Sequence, residues 1–255
     1  MMPSPLTYLK RGYPVVAAHR GASRLAPENT LSAFEKALSL GAKAVELDVQ
    51  MTLDRHLVVF HDGTLERTTN GTGRLKDHTR AALRSLDAGS WFSPEYGGEP
   101  IAHFDEVLSL TQGRALVNIE LKPNDVDDVG FEAKIVAEVR NQHMEQDVVF
   151  TSFDHVAIYR IKRIAPDIAA IITCGARLVE EAAYAKSLGA DGCNHSILWW
   201  THALSQQFAT LGMVRHGSLI NEPSDFVYAK AIGLDLVDSD EPMLYGRPSG
   251  ADASR

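Results

Sequence analysis

Apolar, strand-like runs alternate with amphipathic helical segments along the whole of this 255-residue chain, and few architectures accept such a rhythm. Val15–Ala18 reads as a short buried strand. It precedes a helix over Thr30–Leu40, with Leu31, Phe34, Ala37 and Leu38 on one face and Gly41 as its stop. Ala44–Val49 is the next strand. Strand-then-helix units follow: Ala115–Leu121 with a helix from about Asp127 to Asn141, Val148–Ser152 with Asp154–Ala165, and Ile168–Cys174 with Leu178–Leu188. Then come Asp191–Asn194 with Thr201–Leu211, Val214–Ile220 with Ser224–Ile232, and a closing strand Leu234–Val237. Eight parallel-type strands predict a (β/α)8 TIM barrel, an α/β fold. Hydrophobic residues make up 45% of the chain, enough for one sizeable core, and barrels of this size form a single domain. Residues 1–255 are therefore expected to form one domain.

One run breaks the count. Leu57–Phe60 also reads as a strand, yet only a few residues around Leu53-Asp54-Arg55 separate it from the strand before it. Parallel neighbours need a crossover of a dozen or more residues, so this link implies an antiparallel return. The resulting hairpin, Ala44–Phe60, brings His61 back towards Glu46 and Asp48. From about 65 to 100 the chain is rich in Gly, Thr, Ser and Pro, with one short helix expected near Arg80–Leu86. This insertion is expected to cover the active-site end of the barrel. The tail after Pro242 is expected to fray.

Active sites of such barrels lie at the C-terminal ends of the strands. There the first strand ends in His19-Arg20-Gly21, the second carries Glu46-x-Asp48, the return strand ends in His61-Asp62, and the third barrel strand carries Glu120-x-Lys122. Residues two apart on a strand share a face, so Glu46 and Asp48 point together, as do Glu120 and Lys122. Three carboxylates converging in an apolar barrel repel one another unless a cation neutralises them. An all-oxygen set suits Mg²⁺ or Ca²⁺ better than zinc. Arg20 offers bidentate contacts to phosphate oxygens, Lys122 a point charge, and His19 and His61 can trade protons near neutrality. Singly, each motif is commonplace: a strand-end histidine often only hydrogen-bonds locally, and an exposed Glu–Lys pair contributes about 0–1 kcal/mol. Their meeting on one rim gives them weight.

Composition narrows the partners. The net charge is −8 with no block of Lys or Arg, which disfavours nucleic acid and anionic membranes. Two cysteines, Cys174 and Cys193, are too few for a disulfide framework and read as small core residues in a reducing compartment. Met1–Val16 lacks the apolar run of a signal peptide, and no stretch reaches the roughly 18 apolar residues of a membrane span. A cytoplasmic protein without stable membrane association is expected. The oligomeric state stays open, a homo-oligomer included.

The ordered motifs are recognisable. His19-Arg20-Gly21, Ala26-Pro27-Glu28-Asn29-Thr30, Glu46-Leu47-Asp48-Val49, His61-Asp62, Leu65-Glu66-Arg67-Thr68 and Asn118-Ile119-Glu120-Leu121-Lys122 resemble the glycerophosphodiester phosphodiesterase family. Asp87-Ala88-Gly89-Ser90-Trp91-Phe92 and Gly98-Glu99-Pro100 look like its compact cytoplasmic bacterial members. The resemblance implies an acid/base pair in His19 and His61, and phosphate or substrate contacts through Arg20 and Lys122. It further implies that Glu46, Asp48 and Glu120 ligate one divalent cation, Mg²⁺ or Ca²⁺. Glu28 and Asn29 fall in the family's loop after the first strand, where the plainer reading makes Asn29 an N-cap. In the penultimate strand the family's aromatic is replaced by Ser218 in Ser218-Leu219-Ile220-Asn221, and Trp91, Phe92, Trp199 or Trp200 would have to supply the missing wall.

The resemblance thus implies hydrolysis of a small-molecule glycerophosphodiester to sn-glycerol 3-phosphate and an alcohol. His19 is expected as base and His61 as acid, with water or the glycerol 2-hydroxyl as nucleophile. Two other readings compete. A related-barrel phospholipase acting on intact lipids needs an apolar or basic rim, which the sequence lacks. A catalytically idle binding protein has no need of the histidines, carboxylates and cations together.

Overall fold

The structure, a computed structural model, describes residues 5–10, 12–123, 130–241 and 244. A short helix α1 (Pro5–Leu9) leads into β1 (Val15–Ala18), α2 (Leu31–Ser39), β2 (Ala44–Met51) and β3 (Leu57–Val59). After the insertion, with α3 (Arg80–Arg84), come α4 (Phe104–Thr111), β4 (Leu116–Leu121), α5 (Phe131–Asn141), β5 (Val148–Ser152) and α6 (His155–Ile164). The chain continues through β6 (Ala169–Thr173), α7 (Glu181–Ser187), β7 (Gly192–Ser196), α8 (His202–Thr210), β8 (Val214–Ser218), α9 (Pro223–Ala231) and β9 (Leu236–Ser239).

Eight strands pair in parallel in the order β1-β2-β4-β5-β6-β7-β8-β9, and β9 pairs with β1 to close the ring. The TIM barrel expected from the strand count is present. β3 is antiparallel to β2, with Val49 opposite Val59 and Met51 opposite Leu57. Val49 is already paired with Leu121 of β4, so β3 must take β2's other edge, which β1 uses lower down at Ala44 and Val45. β3 therefore continues where β1 stops, and this places His61 on the same side of β2 as His19.

The interior shows why the site is polar. Ala17, Ala44, Leu116, Val149, Ala169, Ile171, Val214 and Leu236 form an apolar cluster that Leu9 of α1 joins. Two and four residues further along the same strand faces stand Glu46 and Asp48, Asn118 and Glu120, Thr151, Thr173, His216 and Ser218, and Asp238. The opposite strand faces pack against α2 and α4–α9 in the main core. The insertion has its own small core of Val58, Phe60, Leu65, Leu75, Leu83, Ala88 and Ile101.

Two helices were not expected from the sequence. α1 is short, and α4 follows directly on the turn-rich insertion, although Phe104, Val107, Leu108 and Thr111 mark its buried face. α7 begins at Glu181 rather than Leu178. The residues proposed to start the helix at Asp127 lie outside the described ones, as does the tail from Pro242 apart from Leu244.

Candidate active site

All seven residues singled out from the sequence meet at the barrel mouth. Glu46, Asp48 and Glu120 each bring a carboxylate oxygen within 4.8 Å of the other two. Glu46 and Asp48 are buried on β2, and Glu120 is half-buried on β4. A cavity of about 390 Å³ opens above them, with His19, Arg20, His61 and Lys122 in its wall.

Each histidine is held by a carboxylate at Nδ1. His19 Nδ1 is 2.7 Å from Asp240 Oδ1, and His61 Nδ1 is 2.6 Å from Asp62 Oδ1. A partner at Nδ1 orients the ring and leaves Nε2 to do chemistry; for His19, Nε2 lies 3.9 Å from Glu46 Oε2. Burial opposes a charge on His19, but Glu46 and the Asp240 hydrogen bond outweigh it and raise the imidazole to about 9. Asp240 itself, half-buried but bonded to His19 and Asn221, falls to about 2. His61 is fixed further by the Gln50 carboxamide, which donates to the Phe60 and Asp62 carbonyls at 2.8 Å each.

Arg20 stands in the left-handed region at φ 56, a conformation costly for a non-glycine residue and tolerated where geometry is functional. Its backbone N–H thereby donates to Glu46 Oε2 at 3.0 Å, and its guanidinium donates to Glu28 Oε1 at 2.8 Å. Gly21, at φ +80, has no room for a side chain: a Cβ would meet the Ala33 backbone of α2 at 2.7 Å. The third residue of His19-Arg20-Gly21 is thus a packing requirement. Glu28 also takes two hydrogen bonds from Arg67 of the insertion, which donates in turn to both oxygens of Asp62. The insertion therefore flanks the mouth. Gly63, Arg74 and Lys76 form a second, basic hollow with His61 and Lys122.

The three carboxylates respond differently to one another. Burial and the neighbouring Asp48 charge push Glu46 well above the ordinary carboxylate range. Burial would raise Asp48 too, but Lys122 and Arg20 outweigh it and keep it ionised. Glu120 is raised by burial and by Asp48 against the pull of Lys122. Lys122 Nζ sits 2.7 Å from Glu120 and 3.2 Å from Asp48. Asp48 Oδ1, the oxygen nearest the Lys122 ammonium, is buried and accepts no hydrogen bond, and Glu46 has no cationic side chain to itself apart from His19. A hard divalent cation would satisfy both, so the donor set fits Mg²⁺ or Ca²⁺.

The structure corrects one reading and adds residues. Asn29 is not the N-cap of α2: Thr30 is, its hydroxyl accepting from the Ala33 N–H. Asn29 instead adopts φ 59 and donates its amide to Asp48 Oδ2 at 2.8 Å. Asp240, Asp62, Gln50, Glu28 and Arg67 were missed as site residues. Asp62 adjoins His61 in sequence, and Asp238-x-Asp240 repeats the spacing of Glu46-x-Asp48, so both signals were available. Of the aromatics offered as a replacement wall, Trp199 lines the cavity, joined by Phe153 and Leu219. Trp91 and Phe92 stack within the insertion, and Trp200 is buried with Nε1 donating to the His216 carbonyl. Ser218 donates to Asp238 Oδ2 at 2.6 Å, with Asn194 Oδ1 also 3.0 Å from its hydroxyl, which makes its place polar.

A parallel barrel whose mouth joins two carboxylate-held histidines to a carboxylate cluster and two cationic side chains defines an enzyme built around a phosphate ester. The sequence profile of the glycerophosphoryl diester phosphodiesterase family matches residues 19–244, and the chain belongs to that family. It is 43% identical over 164 residues to a glycerophosphodiester phosphodiesterase of Caldanaerobacter subterraneus subsp. tengcongensis, covering 63% of this chain and 68% of the relative. A Bacillus subtilis glycerophosphodiester phosphodiesterase is 31% identical over 258 residues, covering 91% and 85%. Among solved structures, an Oleispira antarctica phosphodiesterase in complex with the product sn-glycerol-3-phosphate is similar at a TM-score of 0.81 and 32% identity, covering 90% of this chain and 94% of that one.

Proposed function

We propose that this chain hydrolyses glycerophosphodiesters to sn-glycerol 3-phosphate and an alcohol, with His19 and His61 as the acid/base pair. The observation that carries the reading is the convergence of both Nδ1-anchored histidines on one cavity with Glu46, Asp48 and Glu120.

Glu46, Asp48 and Glu120 would hold the divalent cation, Mg²⁺ or Ca²⁺. When bound, it supplies positive charge against the non-bridging phosphate oxygens. Arg20 and Lys122 act on the same oxygens, Arg20 through its planar fork and Lys122 as a point charge. Lys122 leans on Asp48 and Glu120 while also lining the cavity, which would put its ammonium within reach of a bound phosphate. His19 Nε2 would take the proton of the attacking water, or of the glycerol 2-hydroxyl, in which case a cyclic phosphate forms and a water must then open it to give glycerol phosphate. His61 Nε2 then gives its proton to the departing alcohol oxygen. Trp199, Phe153 and Leu219 offer an apolar wall to the rest of the substrate.

Among the described residues no helix is long and apolar enough to cross a membrane. A single barrel domain acting in the cytoplasm on a small-molecule substrate is the setting that fits this reading.

The test is turnover of glycerophosphocholine, read as released glycerol phosphate. His19→Ala and His61→Ala should each lower kcat by about 10²–10⁴-fold, with wild-type unfolding temperatures. Near-wild-type turnover in either variant would refute the two-histidine scheme. A chelator should abolish activity, and Mg²⁺ or Ca²⁺ should restore it.

A further inference from the structure

Beside the catalytic cavity lies a second group of ligand-type side chains that the proposed reaction does not use. Cys174 follows β6, while Cys193 and His195 sit two apart on β7 and so project from one face. The two cysteines are free and buried. Their sulfurs are 3.6 Å apart, with the Cys193 thiol donating to Cys174, and an imidazole nitrogen of His195 lies within 4.8 Å of both. Two thiolates on one tetrahedral Zn²⁺, at about 2.3 Å each, stand about 3.8 Å apart, so little movement separates this pair from a chelating one.

His195 argues against an ordinary core cluster. The residue is 1% exposed, yet its Nδ1 makes no hydrogen bond. Its Nε2 makes no hydrogen bond either, but stands 2.8 Å from Glu181 Oε1 on α7, a carboxylate that is itself buried. A ligating histidine typically directs one ring nitrogen to a carboxylate and the other to the metal. Cys174 and His195 also form part of the cavity wall, so the cluster borders the substrate cavity.

We propose that Cys174, Cys193 and His195 form a second metal site, for a thiophilic ion such as Zn²⁺, behind the wall of the substrate cavity. The ion replaces the proton that Cys193 now shares with Cys174. Sulfur and imidazole prefer Zn²⁺ where the carboxylate cluster prefers Mg²⁺ or Ca²⁺, so the two sites divide metals by chemistry.

The experiment uses Co²⁺ as probe on the full chain, kept reduced and excess Mg²⁺ present to occupy the oxygen site. Wild type should develop a thiolate-to-cobalt charge-transfer band together with the visible bands of tetrahedral Co²⁺, and Zn²⁺ should erase both. A Glu46→Gln/Glu120→Gln double variant should keep the band. Cys193→Ala and Cys174→Ser, each first shown to unfold cooperatively, should lose it and bind Zn²⁺ about tenfold or more weakly. Should one variant fail to fold, His195→Asn provides the third arm. Two titratable thiols and no charge-transfer band in folded wild type would overturn the proposal, as would a band that survives in Cys193→Ala.

Discussion

The Asn29 carboxamide donates to Asp48 Oδ2 at 2.8 Å, and its own oxygen faces the Asp48 backbone N–H at 3.4 Å, so a loop residue holds a candidate metal ligand from two sides. Asn29→Ala should weaken divalent-cation affinity by about 10–100-fold, the usual effect of removing such a support. Turnover should recover largely at saturating metal. Asn29→Asp should weaken binding as well, because it sets a fourth carboxylate against Asp48. Metal titrations of activity would check both; unchanged metal dependence would deny Asn29 this role.

Gln50 supports the second histidine in the same way. Its side chain ties the carbonyls on either side of His61 to β2. Gln50→Ala should leave His61 present but loosely placed, lowering kcat by about 10–10²-fold with little change in KM, in keeping with the sensitivity of catalysis to small misplacements. Steady-state kinetics on glycerophosphocholine would show whether the loss falls on kcat.

Burial and Asp48 hold Glu46 above the usual carboxylate range, so the metal-free cluster gives up its protons less readily than free carboxylates do. Cation binding should therefore release protons, and affinity should fall as pH is lowered. Calorimetry in buffers of different ionisation enthalpy measures the release directly. Identical binding heats in all buffers would contradict it.

Asp240 titrates at about 2, below its ordinary carboxyl value. A depressed carboxylate contributes stability that is present above the unfolded value of about 4 and is lost as pH falls towards the folded one. Asp240→Asn should thus be less stable than wild type near neutrality, by about 1 kcal/mol after allowance for solvent screening. The gap should close between roughly pH 4 and 2. Denaturant unfolding across that range would follow it.

Much of this was legible in the sequence because barrel strands are short apolar runs with Gly or Pro marking many helix ends, and because β2, β3 and β4 announce their polar ends through tight motifs. Misses around β7 and β9 have a physical origin in strand boundaries. The last strand was expected to end at Val237, which left Asp238 and Asp240 off the rim; the observed β9 runs to Ser239. β7 was expected to stop at Asn194 and in fact continues to Ser196, carrying His195 with it. Polar residues at the mouth interrupt the apolar pattern where function concentrates, so pattern reading stops one step short of the site. Asn29 was misread for a different reason: Asn suits both an N-cap and a left-handed turn, and the tertiary contact with Asp48 decided between them.

β2 is where these dependencies meet. It presents Glu46 and Asp48, carries Gln50, and pairs through Val49–Met51 with the strand that delivers His61. A one-residue slip would turn all three polar side chains out of the mouth and misplace the histidine together. Mutational damage to this strand's alignment should consequently be all-or-none rather than graded. Protein engineers seeking new specificity have freer ground on the far wall, around Trp199 and Leu219, where changes leave that alignment untouched.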